Sequence, residues 1–229
     1  MRSVFNVLAV VALVASFAFA WWYSRQDTTP PPPPAAVTAI PPNTRASPVA
    51  DPHRAPLDTY AKSAVGDWVA YTISNASPMG SFPATAVTTA KAVSDTTVLT
   101  ATRGRLDGAS EIKRSADEQF ARAGLTLEQA TGADIGGWTL SDIAITDEPH
   151  AVGGRTFPCK HVAYDARDPL FPTKRTHTDL WVSTEVPLDG RVEAHEVQDL
   201  DGKIFDNRIV LIGFGAGAAT TWGTRPPDL

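Results

Sequence analysis

The chain has 229 residues, with 20 Lys and Arg against 25 Asp and Glu and a formal net charge of −5. From residue 57 onward 16 basic side chains stand against 23 acidic ones, a net of −7 that repels nucleic acid and offers no polybasic attraction to anionic membranes. A single cysteine, Cys159, excludes an internal disulfide and every multi-cysteine metal site, so stability must come from an apolar core.

Residues 4–23 form an apolar run whose only strongly polar member is Asn6. At ~1.5 Å of rise per residue such a run spans the ~30 Å of hydrocarbon in a bilayer. Ala18-Phe19-Ala20 has the small-x-small spacing of a signal-peptidase site, while Trp21-Trp22-Tyr23 reads as an interfacial aromatic belt. Residues 1–23 are therefore expected to be a signal anchor or a cleaved signal peptide, with the membrane as partner. The length of the run favours retention, because the apolar region of a signal peptide covers only ~7–15 residues. In both cases the remainder is expected outside the cytoplasm. Residues 24–56 carry ten of the nineteen prolines, including the run Pro30 to Pro34. Such chain extends as polyproline II at ~3.1 Å per residue and reads as a linker.

From residue 57 the pattern is that of strands. Val69, Tyr71 and Ile73 alternate along the first, and residues 84–93 and 96–104 are rich in threonine and valine around Ser94-Asp95. Leu106-Asp107-Gly108 turns the chain into a fourth strand over 111–120. Thr126 and Gln129 have capping-box spacing and predict one short helix. Strand-like sequence resumes over 138–152, turns at Gly153-Gly154, and continues over 155–166. Three further strands, 175–185, 191–199 and 203–213, are separated by Leu188-Asp189-Gly190 and Asp201-Gly202, dipeptides suited to positive φ. The expected fold is mainly β: a single curved antiparallel sheet or half-barrel of about nine strands over 57–215, with at most one or two short helices. Residues 216–229 read as a flexible tail.

Several groups invite a chemical reading. Cys159 and His161 are two apart on one strand face, the spacing of a thiol activated by an imidazole. A buried structural cysteine accounts for the same residue, and no Asn or Asp is placed by a motif to orient the histidine. His150, His161, His177 and His195, with Asp165, Asp168 and Asp179, lack any metal-site spacing and read as solvated strand-face residues. Gly213, Gly215 and Gly217 follow an apolar strand as a dinucleotide-binding turn would, but no helix and second strand follow within the chain. Arg103, Arg105, Lys113 and Arg114 gather on one hairpin, where basic side chains blunt a sheet edge. Trp68, Trp138 and Trp181 either fill the core or face a ligand. No metal or cofactor site is indicated.

Trp181-Val-Ser183-Thr-Glu-Val186-Pro187-Leu188-Asp189-Gly190 resembles a tryptophan-x-serine-x-x-valine-proline-x-x-glycine hairpin of uncharacterised exported bacterial proteins. Val65-Gly-Asp-Trp-Val69 and Gly154-Arg-Thr-Phe-x-Cys159 look like segments of the same group. The strand order is similar to the lipoprotein-carrier half-barrel, a resemblance that implies a concave face able to hold an acyl chain, as an analogy of fold. The sequence has no lipidation cysteine after the apolar run. Three functions follow as expectations. The first is a membrane-tethered or secreted envelope protein that binds a lipid or other hydrophobic ligand, or another envelope protein, without catalysis. The others are an exported enzyme using the Cys159 and His161 face, and a self-assembling structural module.

Overall fold

A computed structural model describes residues 59–229 apart from Met79, Ala116, residues 123–137, residues 169–170 and Asp228. Twelve strands form one open antiparallel sheet, and no helix occurs among the described residues. They are β1 (Asp67–Ser77), β2 (Gly80–Ser81), β3 (Ala84–Val93), β4 (Thr97–Leu106), β5 (Lys113–Arg114), β6 (Glu118–Ala121), β7 (Thr139–Val152), β8 (Arg155–Asp168), β9 (Phe171–Val182), β10 (Arg191–Leu200), β11 (Lys203–Ala216) and β12 (Ala219–Gly223). The main path runs β5-β4-β3-β1-β11-β10-β9-β8-β7, so the first and last long strands, β1 and β11, meet at the centre. β2 adds to β1, β6 to β4 and β12 to β11. The apolar anchor expected over 1–23, the linker over 24–56 and the helix expected near Thr126 lie outside the described residues.

Local chemistry explains the hairpins. Gly153 and Gly154 both have positive φ between β7 and β8, as do Asp201 and Gly202 between β10 and β11, the geometry that matches the right-handed twist of paired strands. Alternation explains the burial of Val69, Tyr71 and Ile73 on β1, which pack with Ala84, Ala86 and Val98 into the larger apolar cluster. A second cluster, built on Val162, Tyr164, Leu180, Val182 and Ala194, occupies one face of β8, β9 and β10.

The structure differs from the sequence expectation in four places. Residues 111–120 are two short strands, β5 and β6, both paired with β4. The strand expected to reach residue 185 ends at Val182, and Ser183 to Gly190 form a closed loop in which the Ser183 N–H donates to the Gly190 carbonyl at 2.8 Å. A hairpin folded about Asp189-Gly190 would set His195 opposite Thr184; His195 instead faces Asp179, with a register shift between Arg191 and Glu193. The segment expected as a flexible tail turns back to form β12 against β11. A Cβ on Gly215 would lie 2.0 Å from the Ala219 carbonyl oxygen, so these glycines provide a close backbone approach rather than slack.

The Ser183–Gly190 loop gives the tryptophan-serine-proline-glycine pattern a physical meaning. Val186 and Leu188 are buried, and Leu188 holds a φ of 62° that a branched side chain adopts only under constraint. The constraint is visible: its N–H donates to Ser63 Oγ at 3.2 Å, and the Tyr71 hydroxyl donates to Asp189 Oδ1 at 2.5 Å. The loop thus caps the sheet against the entering chain and β1.

Candidate binding face

Register fixes which side chains share a face. His161 pairs with Trp181, Trp181 with Glu193, and Glu193 with Val210, while Asp179 pairs with His195 and His195 with Arg208. On β7, His150 faces Phe157, which is on the same side of β8 as His161. All four histidines among the described residues therefore lie on one face, spread over β7 to β10. In a flat sheet β7 and β10 are three strand spacings apart, about 14 Å. Yet His150 Nε2 sits 3.0 Å from Glu193 Oε2, and Cα atoms of β7 come within 8 Å of those of β10 and β11. The sheet curls toward this face, and the histidines line the inside of the curl.

Each imidazole has a carboxylate. His161 contacts Glu148 Oε1 through Nδ1 at 3.2 Å and Asp179 Oδ1 through Nε2 at 2.8 Å. His177 contacts Asp165 Oδ1 through Nδ1 at 2.7 Å and Asp179 Oδ2 through Nε2 at 3.3 Å. His195 Nε2 lies 3.0 Å from Asp206 Oδ1. The Asp165 hydrogen bond, reinforced by Asp179, raises the His177 pKa above the ordinary imidazole value. Trp181 sits at the centre. Its ring is stacked between His150 and His161, both with centroids at 4.4 Å, and its indole N–H donates to Glu148 Oε1 at 2.7 Å.

Glu193 is the buried anchor of this face, with 6% of its side chain exposed. Burial works to raise its pKa, but hydrogen bonds from Arg208 Nε at 2.6 Å and from His150 outweigh burial and hold the carboxyl below the usual range. A groove of about 620 Å³ opens beside these residues, walled by His150, Trp181, His195, Asp206 and Arg208 and closed on the β1 side by Ser74. A second cavity of about 510 Å³ lies at the margin of the sheet, where Pro149, Pro158 and Val182 supply apolar wall next to Cys159.

The residues singled out in the sequence are distributed unevenly. Trp68 is fully buried with Ala70, Val87 and Leu229, its N–H donating to the Ala219 carbonyl at 3.3 Å. Trp138 packs on the second apolar cluster beneath Lys174. Trp181 alone of the three borders the groove. Cys159 is 5% exposed, and burial, with Glu148 and Glu185 nearby, pushes its thiol up to about 11, so it is protonated at neutral pH. Arg103 and Arg114 lie directly opposite one another on β4 and β5, and Lys113 pairs with Glu111. Glu148, Glu193, Asp206 and Arg208, which complete the face, carry no sequence motif; the only hint is the period-two spacing of His177 and Asp179. Among the described residues no group of three or more His, Cys, Asp or Glu side chains is arranged to hold a metal ion, and no helix is long and apolar enough to cross a membrane.

Over the described residues the chain is all-β, with a polar, histidine-lined inner face. No protein-family model matches it, and no curated protein matches it. Among solved structures it is similar to a protein from Bacteroides fragilis, provisionally described as exported, with a YmcC-like fold: 12% identity, 69% of this chain and 99% of that one covered, TM-score 0.45. It is also similar to the hypothetical protein CT021 from Chlamydia trachomatis, at 12% identity over 72% of this chain and 94% of that one, TM-score 0.35.

Proposed function

We propose that this is an exported envelope protein, tethered or released through residues 1–23, whose curled sheet is a non-enzymatic binding module for a polar ligand held beside Trp181. One observation carries the reading: imidazole, carboxylate, guanidinium and hydroxyl groups surround a single indole in a groove of about 620 Å³, a volume suited to a small molecule. An acyl chain laid there would strip water from those groups without replacing their hydrogen bonds, at a few kcal/mol each. The non-catalytic part of the reading is supported by Cys159, whose buried thiol is pushed up to about 11. It is supported as well by His161, whose ring nitrogens are both engaged by carboxylates rather than facing a nucleophile. A hydrophobic ligand has its own supporting observation in the cavity lined by Pro149, Pro158 and Val182.

Thermal unfolding of the full chain, followed by intrinsic fluorescence in the presence of sugars, amino acids, polyamines and fatty acids, separates the two. A polar compound is expected to raise the melting temperature of the wild type and not of Arg208→Ala. Stabilisation by fatty acids alone, lost in Val182→Trp and retained in Arg208→Ala, overturns the polar reading in favour of the marginal cavity.

A further inference from the structure

We propose that Glu148, His161, Asp179, His177 and Asp165 form a proton-loaded clasp across β7, β8 and β9, complete only while both rings are imidazolium, and that its release regulates the groove. The proposal deepens the reading above, since the groove beside Trp181 is the site that the clasp controls. Each ring has a carboxylate oxygen at both nitrogens, at 3.2 and 2.8 Å for His161 and at 2.7 and 3.3 Å for His177. A neutral imidazole has one donor and one acceptor nitrogen, whereas an ionised carboxylate only accepts. A neutral ring in either position therefore sets lone pair against lone pair at one end. Imidazolium carries a proton at both nitrogens, so that His161 Nε2 and His177 Nδ1 hydrogen-bond Asp179 and Asp165 while each ring also attracts its second carboxylate as an ion pair, and histidine binds a proton far more readily than a carboxylate does.

Charge leads to the same conclusion. Three carboxylates and two imidazolium rings sum to −1; without the two extra protons the same five groups carry −3 along one chain of successive contacts. The neighbouring groups do not supply the missing charge. From β7, His150 is committed to Glu193; from β11, Arg208 is also committed to Glu193; from β10, His195 is committed to Asp206. Arg167 on β8 and Arg175 on β9 pair in register beyond Asp165 and His177, where Arg175 also faces Asp199 on β10. The clasp is therefore electrostatically dependent on its own protons.

Its mechanical consequence follows from direction. Backbone hydrogen bonds tie each strand to its neighbours but leave the angle between successive pairs soft, whereas this chain of side chains runs laterally from β7 through β8 to β9. Glu148 Oε1 is shared between His161 and the Trp181 indole N–H. When His161 loses its second proton, Glu148 is repelled from one of its two partners, and β7 loses a tie that draws it over the groove.

Histidine C2 hydrogen–deuterium exchange on the full chain reads the charge of each ring against pH, and amide exchange in the same samples reads the protection of β7. Protection of β7, corrected for intrinsic rate, is expected to fall over the pH interval in which His161 and His177 lose their second protons. Asp179→Asn is expected to move the His177 part of that interval to lower pH, while Asp206→Asn, whose carboxylate contacts His195 and neither ring of the clasp, leaves it in place. Should Asp179→Asn not fold, Glu148→Gln cuts the chain at its other end and is expected to weaken the pH dependence of β7 protection. Protection of β7 whose pH dependence ignores the charge of these rings or Glu148→Gln, or a His177 charge that ignores Asp179→Asn, overturns the clasp. Neither readout needs a ligand, so a failed ligand screen does not bear on it.

Discussion

Cys159 and Glu193 stand on the same face of the sheet, and burial pushes the pKa of both upward, yet their net shifts are opposite because of what lies beside them. Cys159 has no cation to stabilise a thiolate; Glu148 and Glu185 add to burial, and the thiol is pushed up to about 11. Alkylation of the native chain at pH 7.5 is therefore expected to be slow and to become fast only on denaturation, as mass spectrometry of the labelled protein would record. Rapid native labelling would revive the exported-enzyme reading. Glu193 also suffers burial, yet Arg208 and His150 overcome it and keep it ionised. Glu193→Gln is expected to destabilise the protein by about 1–3 kcal/mol in urea unfolding, the scale for leaving charged donors without their buried acceptor. The sign of its pH dependence follows from the lowered folded value. The contribution is present above the ordinary carboxylate range, about pH 4, and is lost as pH falls through the lower folded value, so the difference between wild type and variant should close only in strong acid.

At the scale of elements, the Ser183–Gly190 loop is the part of the fold most exposed to mutation. Leu188 is fully buried in a left-handed conformation and hydrogen-bonded to Ser63 from a segment 125 residues away. Leu188→Ala is expected to cost about 2–5 kcal/mol, the range for truncating a buried leucine, with loss of protection in both β1 and β9 by hydrogen exchange. This loop also marks the boundary of what the sequence reveals. The turns at Gly153-Gly154 and Asp201-Gly202, the alternation of Val69, Tyr71 and Ile73, and the whole of β3 are legible because local chemistry decides them. The end of β9 at Val182 is decided by Ser63, Thr59 and Tyr71, none of them local, and β12 by a close backbone approach at Gly215. The histidine face was illegible for the same reason. His195 meets Asp179 through a register shift at Arg191 and Glu193, and His150 meets Glu193 only because the sheet curls.

For the whole molecule these pairings define a window of stability bounded on both sides. On the acid side the limit is set by carboxylates such as Glu193, whose stabilising ionisation disappears as pH falls through its lowered folded value. On the alkaline side it is set by the imidazole that Asp165 and Asp179 flank. His177 has a raised folded pKa, so its contribution is fully present below the unfolded value of about 6.5 and is lost as pH rises through the higher folded one. Tyrosine does not confuse this limb, because burial raises Tyr60 and Tyr71 well above their ordinary value and keeps both neutral through the same interval. Thermal unfolding of the full chain is accordingly expected to give a higher melting temperature near pH 6 than near pH 9. His177→Gln should flatten that slope without altering the acid limb. Added salt should reduce the slope too, since the side chains of His177 and Asp165 are about half exposed and their attraction is screened. A wild-type melting temperature that is level from pH 6 to 9 would mean that the imidazole–carboxylate pairs contribute no net stability, and the curl of the sheet would then have to be maintained by Phe157, Phe214 and Trp222, which pack together on the larger apolar cluster.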